Sequence, residues 1–205
     1  MPFTTYTELK AAIADWLNRT DLTTQIVDFI ALAEVEINRK FRTRDQAGTS
    51  RSTATAEYLA LPDDWAETIS VMLETSPETK LIYATPDELD SYRPEYSTAG
   101  RPKYYTIIGR NLRFLPAPDT SYTVRMSYYK GVTPLSAGSP TNWLLTRHPD
   151  CYLHGSLFQA ARFLRDADGT ASSKVDFLEA MESVRTADDA AKHPAGMRMT
   201  IKPIG

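Results

Sequence analysis

Three residues able to do chemistry fall three apart in one stretch, "NWLLTRHPDCYLHGSLFQAARFL" (142–164): His148, Cys151 and His154. Imidazole and thiolate are zinc ligands, and a thiol beside an imidazole is how many cysteine nucleophiles are activated. A zinc ion needs four ligands, or three and a water. Cys151 and His154 are helical neighbours at i,i+3, Asp150 could be a third ligand, and no second ligand cluster occurs in the chain. On a helical wheel Leu153, Leu157, Ala160, Ala161 and Leu164 share one face. His154 sits at its edge and Cys151 further round, near Phe158. His148 precedes Pro149 and belongs to the cap. The expectation is a half-buried cysteine and a core-edge histidine, with no metal ligand and no catalytic residue.

Two other constellations fail on inspection. "RDADGTASSKVDFLE" resembles a calcium loop, but counting from Asp166 puts Ala171 where glycine is needed and Phe177 where glutamate is needed. It reads as a helix stop, with Gly169 free to adopt a left-handed conformation. The carboxylates of "LPDDWAET" (Asp63, Asp64, Glu67) have no companion base, and the chain holds neither G-x-S-x-G nor a phosphate-binding loop. A polar turn with Trp65 folded inward is expected there. No catalytic set and no cofactor site emerge.

A basic and aromatic group carries more weight. Arg93, Arg101, Lys103, Tyr104, Tyr105, Arg110, Arg113, Arg125, Tyr128, Tyr129 and Lys130 cluster in the middle of the chain. Arginine with stacked tyrosine can hold single-stranded nucleic acid. Arg110 and Arg113 are the candidates for that reading, a nucleic-acid-binding module. The same residues also suit a half-exposed sheet or a subunit interface. Glu88, Asp90, Glu95 and Asp119 interrupt any continuous phosphate track.

The elements that would position these residues follow from periodicity. "TYTELKAAIADWLNR" opens with Thr5 and Glu8 at capping-box spacing and places Leu9, Ile13, Trp16 and Leu17 on one face. A second helix starts near Thr23 or Thr24, with Ile26, Ile30, Ala33 and Ile37 at helical spacing. The short break between them implies an antiparallel pair. "DQAGTSRSTATA" reads as a polar loop. Alternation then marks strands at Leu59–Leu61 and Ile69–Leu73. "TPDELDSY" is a short helix capped by Thr85. Residues 107–114 form a hairpin about Gly109, and Tyr122, Val124, Met126 and Tyr128 line one strand face. After the loop "VTPLSAGSPTN", a helix runs from about Pro149 to Leu164. A last one, capped by Ser173, buries Phe177, Leu178, Met181 and Val184.

The order is therefore two helices, strands, two helices. The fold class expected is α+β: a helical bundle from the N- and C-terminal helix pairs (1–46 and 142–192) with a small central antiparallel β lobe (50–135). Residues 193–205 should be an extended arm.

Composition agrees with a globular chain and narrows its setting. The 205 residues carry a net charge of −3, which argues against a protein that coats DNA with its whole surface. One cysteine cannot form an internal disulfide. "MPFTTYTELK" lacks a charged segment followed by an apolar run, and no stretch approaches membrane-spanning length. Synthesis in the cytoplasm, with no membrane association, is expected.

Taken together, "YTELKAAIADWLNRTDLTTQIVDFIALAEVEINRKFRTR", "YLALPDDW", "GRPKYYTIIGRNLRFLPAPD", "YYKGVTPLS" and "TNWLLTRHPDCYLHGSLFQAARFL" resemble the head-to-tail adaptor (connector) proteins of tailed bacteriophages, especially the phage adaptor family of short-tailed viruses. The likeness lies in pattern and order up to about Ala190, not in a catalytic signature. It implies a helical bundle with a β lobe and a structural, non-enzymatic role. It also implies a ring, typically of twelve subunits, in the virion neck beneath the portal protein. Such a ring extends the channel through which genomic DNA passes without sequence recognition, and tail or nozzle proteins build onto it. Met197, Arg198, Met199, Ile201, Lys202 and Ile204, apolar and cationic along the arm, are the candidate partner-binding residues.

Overall fold

The computed structural model describes residues 3–192. The arm expected over 193–205 lies outside the described residues. The chain divides into two compact units, Met1–Asp45 with Val132–Gly205, and Gln46–Gly131. The strands all fall in the second unit and the helices, one short helix excepted, in the first, so the fold is α+β.

The first unit is a bundle of α1 (Tyr6–Leu17), α2 (Thr23–Lys40), α4 (Trp143–Arg147), α5 (Pro149–Leu164) and α6 (Ala167–Lys192). The cap predicted for α1 is present: the Glu8 amide donates to the Thr5 hydroxyl, and the Glu8 carboxylate accepts from the Thr5 amide at 3.0 Å. Together these satisfy end amides that the helix leaves unpaired. Asn18, in the left-handed region, ends it. Ile26, Ile30, Ala33 and Ile37 of α2 are all buried, as their spacing requires.

Helix α5 departs from the amphipathic expectation. It packs against α1, α2, α4 and α6. Cys151–Leu153 and Gly155–Ala161 are buried, so only a narrow strip reaches water. A helix covered on most sides has no polar face to find. Cys151 is fully buried rather than half-buried, because it belongs to the apolar core of the helical unit. At its centre Gly155 lets three helices meet. A β-carbon there would lie 3.0 Å from the Phe177 ring and 3.1 Å from Ala33.

Three further expectations need correction in this unit. Trp16, assigned to the buried face of α1, is 63% exposed, and Leu178 of α6 is also exposed. The stop after α5 is made by Arg165 in the left-handed region, not by Gly169. Finally, α6 begins at Ala167, six residues before Ser173. Asp166 accepts from the Gly169 amide at 3.0 Å, and the absent side chain of Gly169 leaves room for that carboxylate.

The second unit contains two four-stranded sheets rather than one. Its strands are β1 (Ala47–Ala54), β2 (Tyr58–Ala60), β3 (Trp65–Leu73), β4 (Thr79–Lys80), β5 (Ile82–Tyr83), β6 (Tyr104–Ile108), β7 (Asn111–Leu115) and β8 (Tyr122–Lys130). One sheet runs β1-β8-β3-β4. The other runs β2-β7-β6-β5, with β5 and β6 parallel. Inward residues from both build one core, including Val71, Leu73, Tyr105, Leu112, Phe114, Val124 and Met126. The short helix α3 (Pro86–Tyr92) has the predicted Thr85–Glu88 capping box.

The segment read as a polar loop is the edge strand β1, paired along its whole length with β8. Ser, Thr and Gly give no apolar alternation, so only the waiting edge of β8 makes it a strand. The β6–β7 turn is Gly109-Arg110, with Gly109 at φ 60°, as a two-residue hairpin turn with glycine first demands. In β3 the register with β8 slips between Thr68 and Ser70. That bulge turns Ile69 out of the alternation, leaving it 46% exposed while Val71 and Leu73 are buried.

Candidate assembly surfaces

The cysteine–histidine cluster is not assembled as a site. His148 joins α4 to α5, donating its amide to the Leu144 carbonyl at 2.7 Å. Burial pushes the Cys151 thiol up to about 12, away from the thiolate that a nucleophile or zinc ligand requires. His154 turns instead toward Asp176 (3.9 Å) and the edge of the Trp16 indole (centroids 6.0 Å apart). Among the described residues no group of three or more His, Cys, Asp or Glu side chains could hold a metal ion.

A polar network that the sequence did not disclose fixes the loop 132–142 within the helical unit. Glu34 is 6% exposed and accepts from the Leu135 amide (2.7 Å) and the Tyr152 hydroxyl (3.2 Å). Asn142 donates to that hydroxyl (2.6 Å) and to the Thr133 carbonyl (2.8 Å), and also caps α4. Asn38 accepts from the Val132 amide at 2.6 Å. Burial raises the Glu34 carboxyl above its usual range, outweighing the two donors that pull it down. The Tyr152 hydroxyl is raised as well, first by burial and then by the nearby Glu34 charge.

The basic and aromatic residues of the β unit are largely committed to carboxylates, carbonyls and hydroxyls within it. Arg113 is 6% exposed and donates to Glu57 (2.7 Å) and Asp90 (2.9 Å), tying β7 to α3. Arg110 donates to the Pro62 and Asp63 carbonyls at 3.0 and 3.1 Å. The structure thus does not bring Arg110 and Arg113 together as an open pair; Arg113 is turned inward. Arg51 and Arg125 are direct cross-strand partners, a repulsive pairing relieved by Glu74 at 2.8 and 3.4 Å and by Glu78 at 2.7 Å from Arg125. Arg101 donates to the Thr75 and Thr79 hydroxyls and the Pro77 carbonyl. The Lys103 ammonium lies 4.8 Å from the Tyr96 ring centre, and Tyr128 donates to Asp64 at 2.8 Å.

Open surface of a different character remains. In the β unit, Ile69, Ser70, Lys80, Leu81, Ile82, Tyr83 and Tyr105 line a groove of about 450 Å³. Ile82 is 59% and Tyr83 54% exposed. In the helical unit, Phe29, Leu32, Arg162 and Phe163 contribute to a second groove between α2 and α5, about 510 Å³. Exposed apolar side chains grouped in this way mark surfaces that meet other proteins. No described helix is long and apolar enough to cross a membrane.

The sequence profile of the SU10 adaptor protein family matches residues 4–199, nearly the whole chain. The chain belongs to that family of bacteriophage adaptor proteins. It is therefore a phage adaptor, a structural component of the virion that associates with capsid or tail parts. No curated protein matches the adaptor sequence. The candidate partner-binding residues Met197, Arg198, Met199, Ile201, Lys202 and Ile204 lie outside the described residues.

Proposed function

We propose that the adaptor forms a closed ring, typically of twelve subunits, in the virion neck. This ring docks on the portal protein, lengthens the channel taken by the genome and gives the tail or nozzle proteins a platform. The observation that carries the reading is the family match over residues 4–199. Two features support it. The chain exposes unlike apolar surfaces on its two units, and a ring is built from heterologous contacts between unlike patches. A net charge of −3 also suits a conduit, since a strongly basic lumen would hold the duplex by counterion release.

The arm from Met197 to Ile204 is the part proposed to grip the neighbouring ring. Its apolar residues would enter the partner, with Arg198 and Lys202 supplying charge. The test is electron microscopy of the protein mixed with portal, comparing the full chain with one lacking residues 195–205. The full chain should cap the portal with a ring, and the truncated chain should stay folded but dock more weakly. Absence of a ring on the portal overturns the function, and undiminished docking of the truncated chain overturns the role of the arm.

A further inference from the structure

We propose that Trp16 of one subunit seats in the Ile69/Ile82/Tyr83 groove of the next, with Asp15 pairing Lys80 across the contact. The inference deepens the ring reading by naming two unlike surfaces that would join neighbouring copies.

The argument starts from Trp16. Helix periodicity puts it near the buried face of α1, yet it is the most exposed large apolar side chain among the described residues, at 63%. It is not loose, because the edge-to-face contact with His154 holds the ring at one place on the surface. An oriented, exposed indole is a pre-organised anchor, and tryptophan is enriched among the residues that dominate binding energy. Beside it on the helix, Asp15 is exposed, and its carboxylate has no hydrogen bond or ion pair among the described residues.

The groove is the complement in shape, polarity and charge. Its bulge-displaced Ile69, with Ile82 and Tyr83, exposes an apolar rim around about 450 Å³, within the range that receives a bulky group. Lys80 stands on that rim. Every other lysine and arginine of the β unit has a carboxylate, a carbonyl, a hydroxyl or an aromatic ring as partner. Lys80 alone has none. An apolar knob with an unpaired anion and an apolar groove with an unpaired cation are complementary. The two patches differ, so each copy presents one to each neighbour, as a head-to-tail contact requires.

The test mixes two single-cysteine additions, Asp15→Cys and Lys80→Cys, and treats them with a short bis-maleimide. Native Cys151 is buried and should not react. The mixture should yield covalent dimers, and the double variant a ladder of higher oligomers. Either single variant alone should stay uncrosslinked. A companion measurement follows self-association by sedimentation. Trp16→Ala should weaken it about thirty-fold, the scale of a tryptophan hot spot. Asp15→Lys should weaken it and Lys80→Asp in the same chain should restore it. No crosslink in the mixture, crosslinks within a single variant, or a Trp16→Ala chain that associates normally each overturn the contact. Microscopy separates the two readings: closed rings without the crosslink would keep the ring and reject this contact. Crosslinked open chains would keep the contact and reject the ring.

Discussion

Replacing Gly155 by alanine sets two effects of known sign against each other. Alanine in a helix interior is favoured over glycine by about 1 kcal/mol, so propensity alone predicts stabilisation. The added methyl, however, would sit 3.0 Å from one Phe177 ring carbon, 3.3 Å from another and 3.1 Å from the Ala33 β-carbon. Neither neighbour retreats easily. Phe177 is fully buried and stacked near Phe158, with centroids 6.4 Å apart. The Ala33 β-carbon moves only if α2 moves. Overpacking of this kind costs about 1–3 kcal/mol. The net expectation is destabilisation by up to about 2 kcal/mol, or a melting temperature lower by up to ~8 °C for a chain of this size. Urea unfolding read by helical circular dichroism measures it, with an unchanged m-value assigning the shift to stability. Phe177→Leu in the Gly155→Ala background should recover part of the loss, giving a coupling of at least about 0.5 kcal/mol. A more stable Gly155→Ala protein, or strict additivity of the pair, would refute the claim that α2, α5 and α6 close on this glycine.

Glu34→Gln should change how stability depends on pH. A carboxyl whose folded pKa is raised favours folding fully below its unfolded pKa and loses that contribution as pH rises through the folded value. The variant, having no proton to lose there, should gain on the wild type as pH rises above the ordinary carboxyl range, about 4, and a gap that stays constant in urea titrations would contradict this. Arg113→Met should cost about 1–3 kcal/mol, because it leaves Glu57 without its closest cation, discounted for the partial exposure of both carboxylates. A melt of the β unit that does not move would show the ion pairs to be idle. Cys151 should label with maleimide on the order of a thousandfold more slowly in the native protein than in urea, as its burial dictates. Ready native labelling would place it at the surface.

The cause of each disagreement between sequence and structure is local. Trp16 falls near the apolar stripe of α1, but the buried surface there is occupied by Leu9 and Ile13, and the indole meets α5 edge-on at His154 while staying mostly exposed. The strand β1 carries no alternation because its pairing comes from β8, about seventy to eighty residues away. The bulge at Ile69 belongs to the register of two strands and has no signature in one of them. The helix α5 looks two-faced on a wheel, since Ser156 and Gln159 are polar, yet both are buried.

What the sequence determined by itself is the set of interactions closed within a few residues. These include the Thr5–Glu8 and Thr85–Glu88 boxes, the Gly109 turn, the buried stripe of α2 and the alternation of β8. It also carries the family pattern, which spreads over nearly the whole chain. Only the tertiary structure decided which charges are free. Arg113 and Lys80 are both cations of the β unit, but one is enclosed by two carboxylates and the other faces water unpaired. Whether a charge is neutralised depends on partners brought close by folding, and Coulomb interactions in water fade within about 10 Å. Sequence spacing carries no record of that distance.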